Sequence, residues 1–345
     1  MGQSRRSSAF RLSATEFLLC AALIYGLIAI LLVYLAALFT QNIWAIGDTR
    51  LFYRMASVIV NGGVPYVDFV DPKPPLIYFT LTLPLLLGQK LLGGLALVGI
   101  CNFASSLLIM GIGWKLYGRL PGFAAGLLFL LNMALAEGFF ILTEPFTLAF
   151  ILLSAYALLF LRSDKKYFLS GVCAGIAIGF KQYAILAIPL ALFFMYRNKE
   201  LKGAMAFIIG ALLPVLAIFG AIFLLYGANA GTSSLYWSFG VADTYLTQGS
   251  IGNVPAYRAP DLAIAAADIL LEAGLFITLF TLALAGALAD RVFTPAEEFL
   301  LLSGAAFLSM LAVRQYLHYW ALALPFIILF CVRAYRHRKE AFSPD

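Results

Sequence analysis

Apolar and polar positions in this chain fall into long blocks. Predominantly apolar runs, each bounded by charges or by Gly and Pro, recur at about 16–39, 94–114, 121–138, 145–161, 167–180, 183–196, 203–226, 262–289, 298–313 and 319–332. A hydrocarbon core roughly 30 Å thick asks for about 17–25 apolar residues per spanning helix. A transmembrane barrel would instead alternate over about ten residues, and no stretch does so. The pattern predicts an all-α polytopic membrane protein with about ten transmembrane helices. Residues 75–88 are apolar but only fourteen long, which suits a helix lying on the membrane surface better than one crossing it.

Composition agrees: of 345 residues 63% are hydrophobic and 12% charged, with a mean hydropathy of +0.95, far from a soluble domain. The formal charge of +6 reads as membrane topology rather than as nucleic-acid binding. With the N-terminus cytoplasmic, sixteen of the 23 basic residues fall on one side, including Arg5, Arg6, Arg11, Arg162, Lys165, Lys166, Arg197, Lys199, Lys202 and the Arg333–Lys339 cluster. That is the positive-inside bias, and it places both termini in the cytoplasm of a cell-membrane protein. A crossing at 75–88 would switch every later cluster to the other side. Residues 40–93 therefore read as one long external loop whose surface helix begins at Pro74–Pro75. Residues 227–261, rich in Gly, Ser, Thr and Tyr, form a second external segment, a lid or an acceptor surface. No stretch reads as a separate soluble domain. The first run is too long for a secretion signal and no small-residue cleavage site follows it, so it reads as a retained anchor, not a twin-arginine signal. Cys20, Cys101, Cys173 and Cys331 all lie in apolar runs without metal or disulfide spacing.

Seven basic residues remain on the external side: Arg50, Arg54, Lys73, Lys90, Lys181, Arg258 and Arg314. Topology gives no reason for them. They are solvated loop charges or the parts of an anion site. Asp48, Arg50 and Arg54 open an amphipathic stretch with Leu51, Met55, Val58 and Ile59 on one face, which Asp48 can cap. Asn61–Gly62–Gly63 ends it, and "VPYVDFVDP" reads as extended. Glu144, before Pro145, suits the first turn of a span, where a carboxylate faces the helix dipole. Lys181 divides two apolar runs, and Arg314 and His318 interrupt "VRQYLHYWALALPF" beside Tyr319; ionisable groups so placed are functional candidates. A carboxylate and several cations at headgroup height suit a lipid-linked phosphate. No nucleotide-binding glycine loop, nucleophile elbow or HExxH is present.

"GGVPYVDFVDPKPPLIYF", following an acid soon after the first run, resembles the GT-C membrane glycosyltransferases, in the branch of the protein O-mannosyltransferases and aminoarabinose transferases. Asp48 and Lys73–Leu76 match the family's first-loop acid and its Lys/His-Pro-Pro-Leu segment. "ILTEPFTLAF", "LSGVCAGIAIGFKQ" and "RQYLHYWALALPF" follow in the family's order. The chain departs where the family often has a second acid, since Thr49 follows Asp48, and where its second-loop acid is commonly Asp, here Glu144. The resemblance implies an inverting transfer of a sugar from a polyprenyl-phosphate donor to a lipid, glycan or protein acceptor outside the membrane. Asp48 would be the base, with Lys73, Lys181 and Arg314 on the departing phosphate and Arg50 or Arg54 orienting Asp48. Tyr66, Asp68, Tyr78, His318 and Tyr319 would line the substrate. Glu144 would position the acceptor or help hold a divalent ion, Mg or Mn, although the branch generally requires no cofactor. Two other classes stay open. A lipid-linked sugar flippase would carry inverted repeats and mid-span polar residues, whereas here no repeat is visible and the charges gather at one face. A non-catalytic membrane subunit would use Asp48 and Lys73 structurally.

Overall fold

The computed structural model describes residues 12–39, 47–241, 281, 284, 285, 288, 293–310 and 317–333. Its helices are α1 (Ala14–Phe39), α2 (Gly47–Val60), α3 (Leu76–Leu86), α4 (Lys90–Tyr117), α5 (Arg119–Leu135), α6 (Glu144–Phe160), α7 (Lys165–Phe180), α8 (Ala187–Arg197), α9 (Ala204–Leu235), α10 (Pro295–Leu308) and α11 (Leu317–Val332). Among the described residues no strand forms; the sole pairing of that kind is an isolated bridge between Pro65 and Phe69. Arg314, Arg258, residues 242–261 and most of the expected span 262–289 lie outside the described residues.

Lipid and protein faces separate along these helices. Three of the described helical stretches, Ala14–Leu38, Lys90–Tyr117 and Leu201–Gly240, are long and apolar enough to cross a membrane. α5, α6 and α11 are shorter, at 16–17 residues, about 25 Å of helix. α1 turns Leu19, Leu23, Leu27 and Ile30 outward, and α9 exposes Leu216, Leu224 and Leu225. An apolar exterior is stable only against an apolar solvent. α11 is the reverse: every side chain from Tyr319 to Phe330 except Pro325 counts among its buried hydrophobic core, and it packs against α4, α5, α6 and α10. With little water to expel inside a bilayer, close backbone approach does much of the holding. α4 and α5 meet where a Cβ on Gly113 would lie 2.8 Å from the Cα of Gly122, and α7 meets α9 through Gly171, Gly175 and Gly210.

The two ends of the bundle differ in chemistry. One end gathers the basic clusters: Arg197 on Glu298 at 2.6 Å, Lys166 on Glu200 at 3.0 Å, and the buried pair Arg333–Glu297 at 2.9 Å. α10 starts there with a capping box, Thr294 and Glu297 each accepting from the other's backbone. The opposite end carries α2, α3 and the turns after α5 and α7.

Three local expectations change. Asp48 is the second residue of α2 rather than its cap, and its neighbour Thr49 is buried with its hydroxyl donating to Ile141 O at 2.9 Å. "VPYVDFVDP" is folded, not extended: the Asp68 carboxylate and the Val64 carbonyl close a turn in which buried Tyr66 takes φ 61°. For a bulky side chain that is a costly conformation. It is held because the Tyr66 hydroxyl reaches Lys73 O at 2.5 Å. Finally, the run ending at 226 does not open into a loop. Gly227, at φ 87°, kinks the chain, but helix resumes to Leu235 and a π turn follows at Tyr236–Gly240. Ser233 then bonds Tyr66 O at 2.8 Å, tying this extension to the first loop.

Candidate active site

The site end is built on a short rigid strap. Pro72, Pro74 and Pro75 restrict the backbone around Lys73, and α3 starts immediately after Pro75. Ile77, Tyr78 and Leu81 of α3 are buried, so the expected surface helix is anchored on one face against α2 and α4. The strap is fastened at three points: Tyr66 and Tyr78 hydroxyls donate to Lys73 O, at 2.5 and 3.5 Å, and the Gln182 amide donates to Pro72 O at 3.0 Å.

Two charged clusters result. In the first, Lys73 Nζ lies 3.8 Å from Asp48 Oδ2; the lysine side chain is 10% exposed and the aspartate 35%. Asp48 thus keeps access to an incoming molecule while Lys73 is nearly enclosed. Asp71 is buried beside them with one carboxylate oxygen unpartnered. Burial pushes its carboxyl above the ordinary range; Lys73 opposes the rise and Asp48 adds to it. Burial also pushes the Tyr66 hydroxyl well up, so it serves as a neutral donor.

In the second cluster, Glu144 opens α6 and Lys181 ends α7, and their side chains form an ion pair with exposures of 2% and 1%. Lys181 Nζ also stands 4.1 Å from the Tyr319 ring centre and 5.4 Å from that of Tyr183, cation–π contacts within an aromatic wall. His318 bridges onward, Nε2 3.8 Å from Glu144 and Nδ1 2.8 Å from Glu137. Asn102, buried in α4, donates to Gly138 O at 2.7 Å, and with Thr49 it pins the 136–143 turn that presents Glu137 and Glu144. The clusters meet at a narrow crevice lined by Lys73, Lys181, Gln182, Tyr183 and Tyr319.

Of the residues picked from the sequence, Asp48, Lys73, Tyr66 and Tyr78 come together in one cluster, and Glu144, Lys181, His318 and Tyr319 in the other. Arg50, Arg54 and Asp68 line a separate cleft on the outer face of α2. Arg314 is outside the described residues. Sequence reasoning passed over Gln182 and Tyr183, whose signal was adjacency to Lys181, and offered Asp71 only as a neighbour that could pair with Lys73 and Glu137 only as an external acid. Among the described residues no group of three or more His, Cys, Asp or Glu is placed to hold a metal. Glu144, with cations on two sides, is a poor match for a divalent ion.

A membrane bundle presenting acids and lysines at one end can be compared with solved folds. Over 93% of its length the chain superposes on ArnT from Cupriavidus metallidurans, solved with undecaprenyl phosphate, with a TM-score of 0.62 and 14% identity. It has the GT-C fold. AglB from Archaeoglobus fulgidus, solved with an inhibitory peptide and a dolichol-phosphate, shares that fold at TM-score 0.57 and 11% identity over 96% of the chain. The chain spans 60% of the ArnT chain and 52% of the AglB chain. Residues 72–225 match the family model of dolichyl-phosphate-mannose-protein mannosyltransferases. That segment of the GT-C bundle starts one residue before Lys73 and includes Glu144 and Lys181. No curated protein matches the chain in sequence.

Proposed function

We propose that this protein is an inverting glycosyltransferase that takes a sugar from a polyprenyl-phosphate donor at the external face of the membrane. The observation carrying the proposal is the pairing of a partly exposed carboxylate, Asp48, with an enclosed lysine, Lys73, 3.8 Å apart, where Lys73 also lines the crevice that holds Lys181. The GT-C fold and the bound lipid phosphate of the ArnT structure support it. The Asp48 carboxylate accepts the proton of an acceptor hydroxyl. The hydroxyl oxygen then attacks the anomeric carbon as the bond from that carbon to the phosphate oxygen breaks. The electron pair leaves with the phosphate, whose growing charge Lys73 meets. Lys181, held by Glu144, adds positive potential behind the aromatic wall. Acceptor, sugar and sidedness belong to this reading.

Asp48→Asn tests it. Purified protein given radiolabelled polyprenyl-phosphate hexose and membrane extract should lose about 10²–10⁴-fold in transfer while still binding donor. Near-native turnover would remove Asp48 from the base role. Lys73→Ala should weaken donor binding by about 1–3 kcal/mol, the worth of a charged, desolvated contact; unchanged affinity removes Lys73 from the phosphate. Movement of intact donor across vesicles without label transfer would instead identify a flippase.

A further inference from the structure

A second polar cleft lies at this end, apart from the crevice between the lysines. On the far face of α2, Arg50, Arg54 and Lys90 line a cleft of about 600 Å³ together with Ser57, Asn61 and Asp68. It shares no lining residue with the crevice at Lys73 and Lys181. Arg50, Arg54, Ser57 and Asn61 recur at helical spacing, a single stripe, whereas Asp48 lies two residues from Arg50 and so on another face. Arg50 and Arg54 are exposed, and among the described residues none of the three cations forms an ion pair. Arg54 is set over the Phe69 ring at 5.3 Å, which orients its guanidinium without neutralising it. The cleft's one carboxylate, Asp68, is occupied with the Val64 N–H at 2.7 Å. Tyr53, whose hydroxyl donates to Lys90 O, ties the start of α4 to α2.

Three cations against one carboxylate leave two positive charges, the complement of a phosphate dianion. Two guanidiniums a helical turn apart favour the planar, bidentate bonds that phosphate offers. We infer that this cleft is a second phosphate site, separate from that of the donor, and that it holds a phosphate group carried by the acceptor. The last clause rests on the glycosyltransferase reading, because Asp48 sits on the same helix, about 3 Å nearer its N-terminus than Arg50. Because the two groups point to different faces of α2, an acceptor anchored here by its phosphate would present to Asp48 a hydroxyl about a helix diameter, 10–12 Å, away from that phosphate.

The test is inorganic phosphate titrated into the purified, detergent-solubilised protein by isothermal calorimetry, with wild type, R50Q/R54Q and Lys73→Ala in parallel. Two binding events are expected in wild type. R50Q/R54Q should lose one of them, at least ten-fold in affinity, and Lys73→Ala the other. R50K/R54K, which keeps charge but not the bidentate fork, should weaken the same event less. If R50Q/R54Q retains both events, the cleft is not a phosphate site. If Lys73→Ala alone retains both, the cleft stands and the donor-site reading fails. Glycerol 3-phosphate and dihexanoyl phosphatidic acid, each competed against inorganic phosphate, separate a soluble from a lipid-borne source. Failure of both to displace phosphate from the cleft would overturn an acceptor role.

Discussion

Replacing the buried Glu144–Lys181 pair gives a sharp test of the site's construction. Both side chains are at most 2% exposed, so neither charge can turn to water when its partner is removed. Breaking a buried pair from one side costs about 3–5 kcal/mol, whereas replacing both partners by apolar groups of similar volume is near neutral or stabilising. Glu144→Met strands Lys181 against the rings of Tyr183 and Tyr319 and should cost near the top of that range. Lys181→Met leaves Glu144 with His318 at 3.8 Å and should cost less. The double variant should return to within about 1.5 kcal/mol of wild type, giving a coupling of several kcal/mol where distant sites would add. Unfolding followed by circular dichroism in mixed micelles, titrated with a denaturing detergent, measures all four proteins. Additive effects, or single losses below about 1 kcal/mol, would refute the claim that the two charges hold each other. Donor affinity in the double variant then separates scaffold from function: a stable protein with weakened binding assigns Lys181's potential to the phosphate.

Other consequences follow from single contacts. Asp71's carboxyl is raised by burial, so the fold favours its protonated form: its share of stability is complete below the unfolded value and is lost as pH rises through the folded one. Asp71→Asn, neutral and isosteric, should therefore raise thermal stability at pH 7–8, and the gain should shrink toward pH 4; a pH-independent difference in Tm would contradict this. Gly122→Ala places a Cβ 2.5 Å from Met110 O and Trp114 N, backbone that cannot step aside, and should cost about 1–3 kcal/mol by overpacking, read as a lowered Tm; wild-type stability would show that α4 and α5 can part. Tyr66→Phe removes the hydroxyl bond to Lys73 O, costing about 1 kcal/mol. It should weaken donor binding along with stability, and unchanged affinity would separate the strap from the site.

Much of this was legible along the chain because hydrophobic block length is a local property. The spans from 16–39 to 183–196 match α1 and α4–α8 to within a few residues, α9 starts where the 203–226 run does but continues to Leu235, and Lys73 and Lys181 stood out as charges without a topological reason. What was not legible was pairing across distance. The sequence offers Lys181 and Glu144 as separate interruptions 37 residues apart, and only the packing of α6 on α7 joins them. Arg50 and Arg54 look equivalent to Lys73 in a list of external cations. The rotation of α2, fixed by burial of Phe52, Met55 and Ala56, turns them to another face. The turn at Tyr66 eluded propensity because its φ of 61° is dictated by a tertiary contact.

The fastening of the strap has a consequence for how a ligand is met. Lys73's main chain is clamped by two tyrosine hydroxyls and flanked by prolines, with Gln182 gripping the residue before it. Its ordering cost is therefore settled when the chain folds rather than when a phosphate arrives. Association at this point should resemble docking onto a finished surface, with amide hydrogen exchange across residues 66–78 already slow in the free protein and little changed on binding.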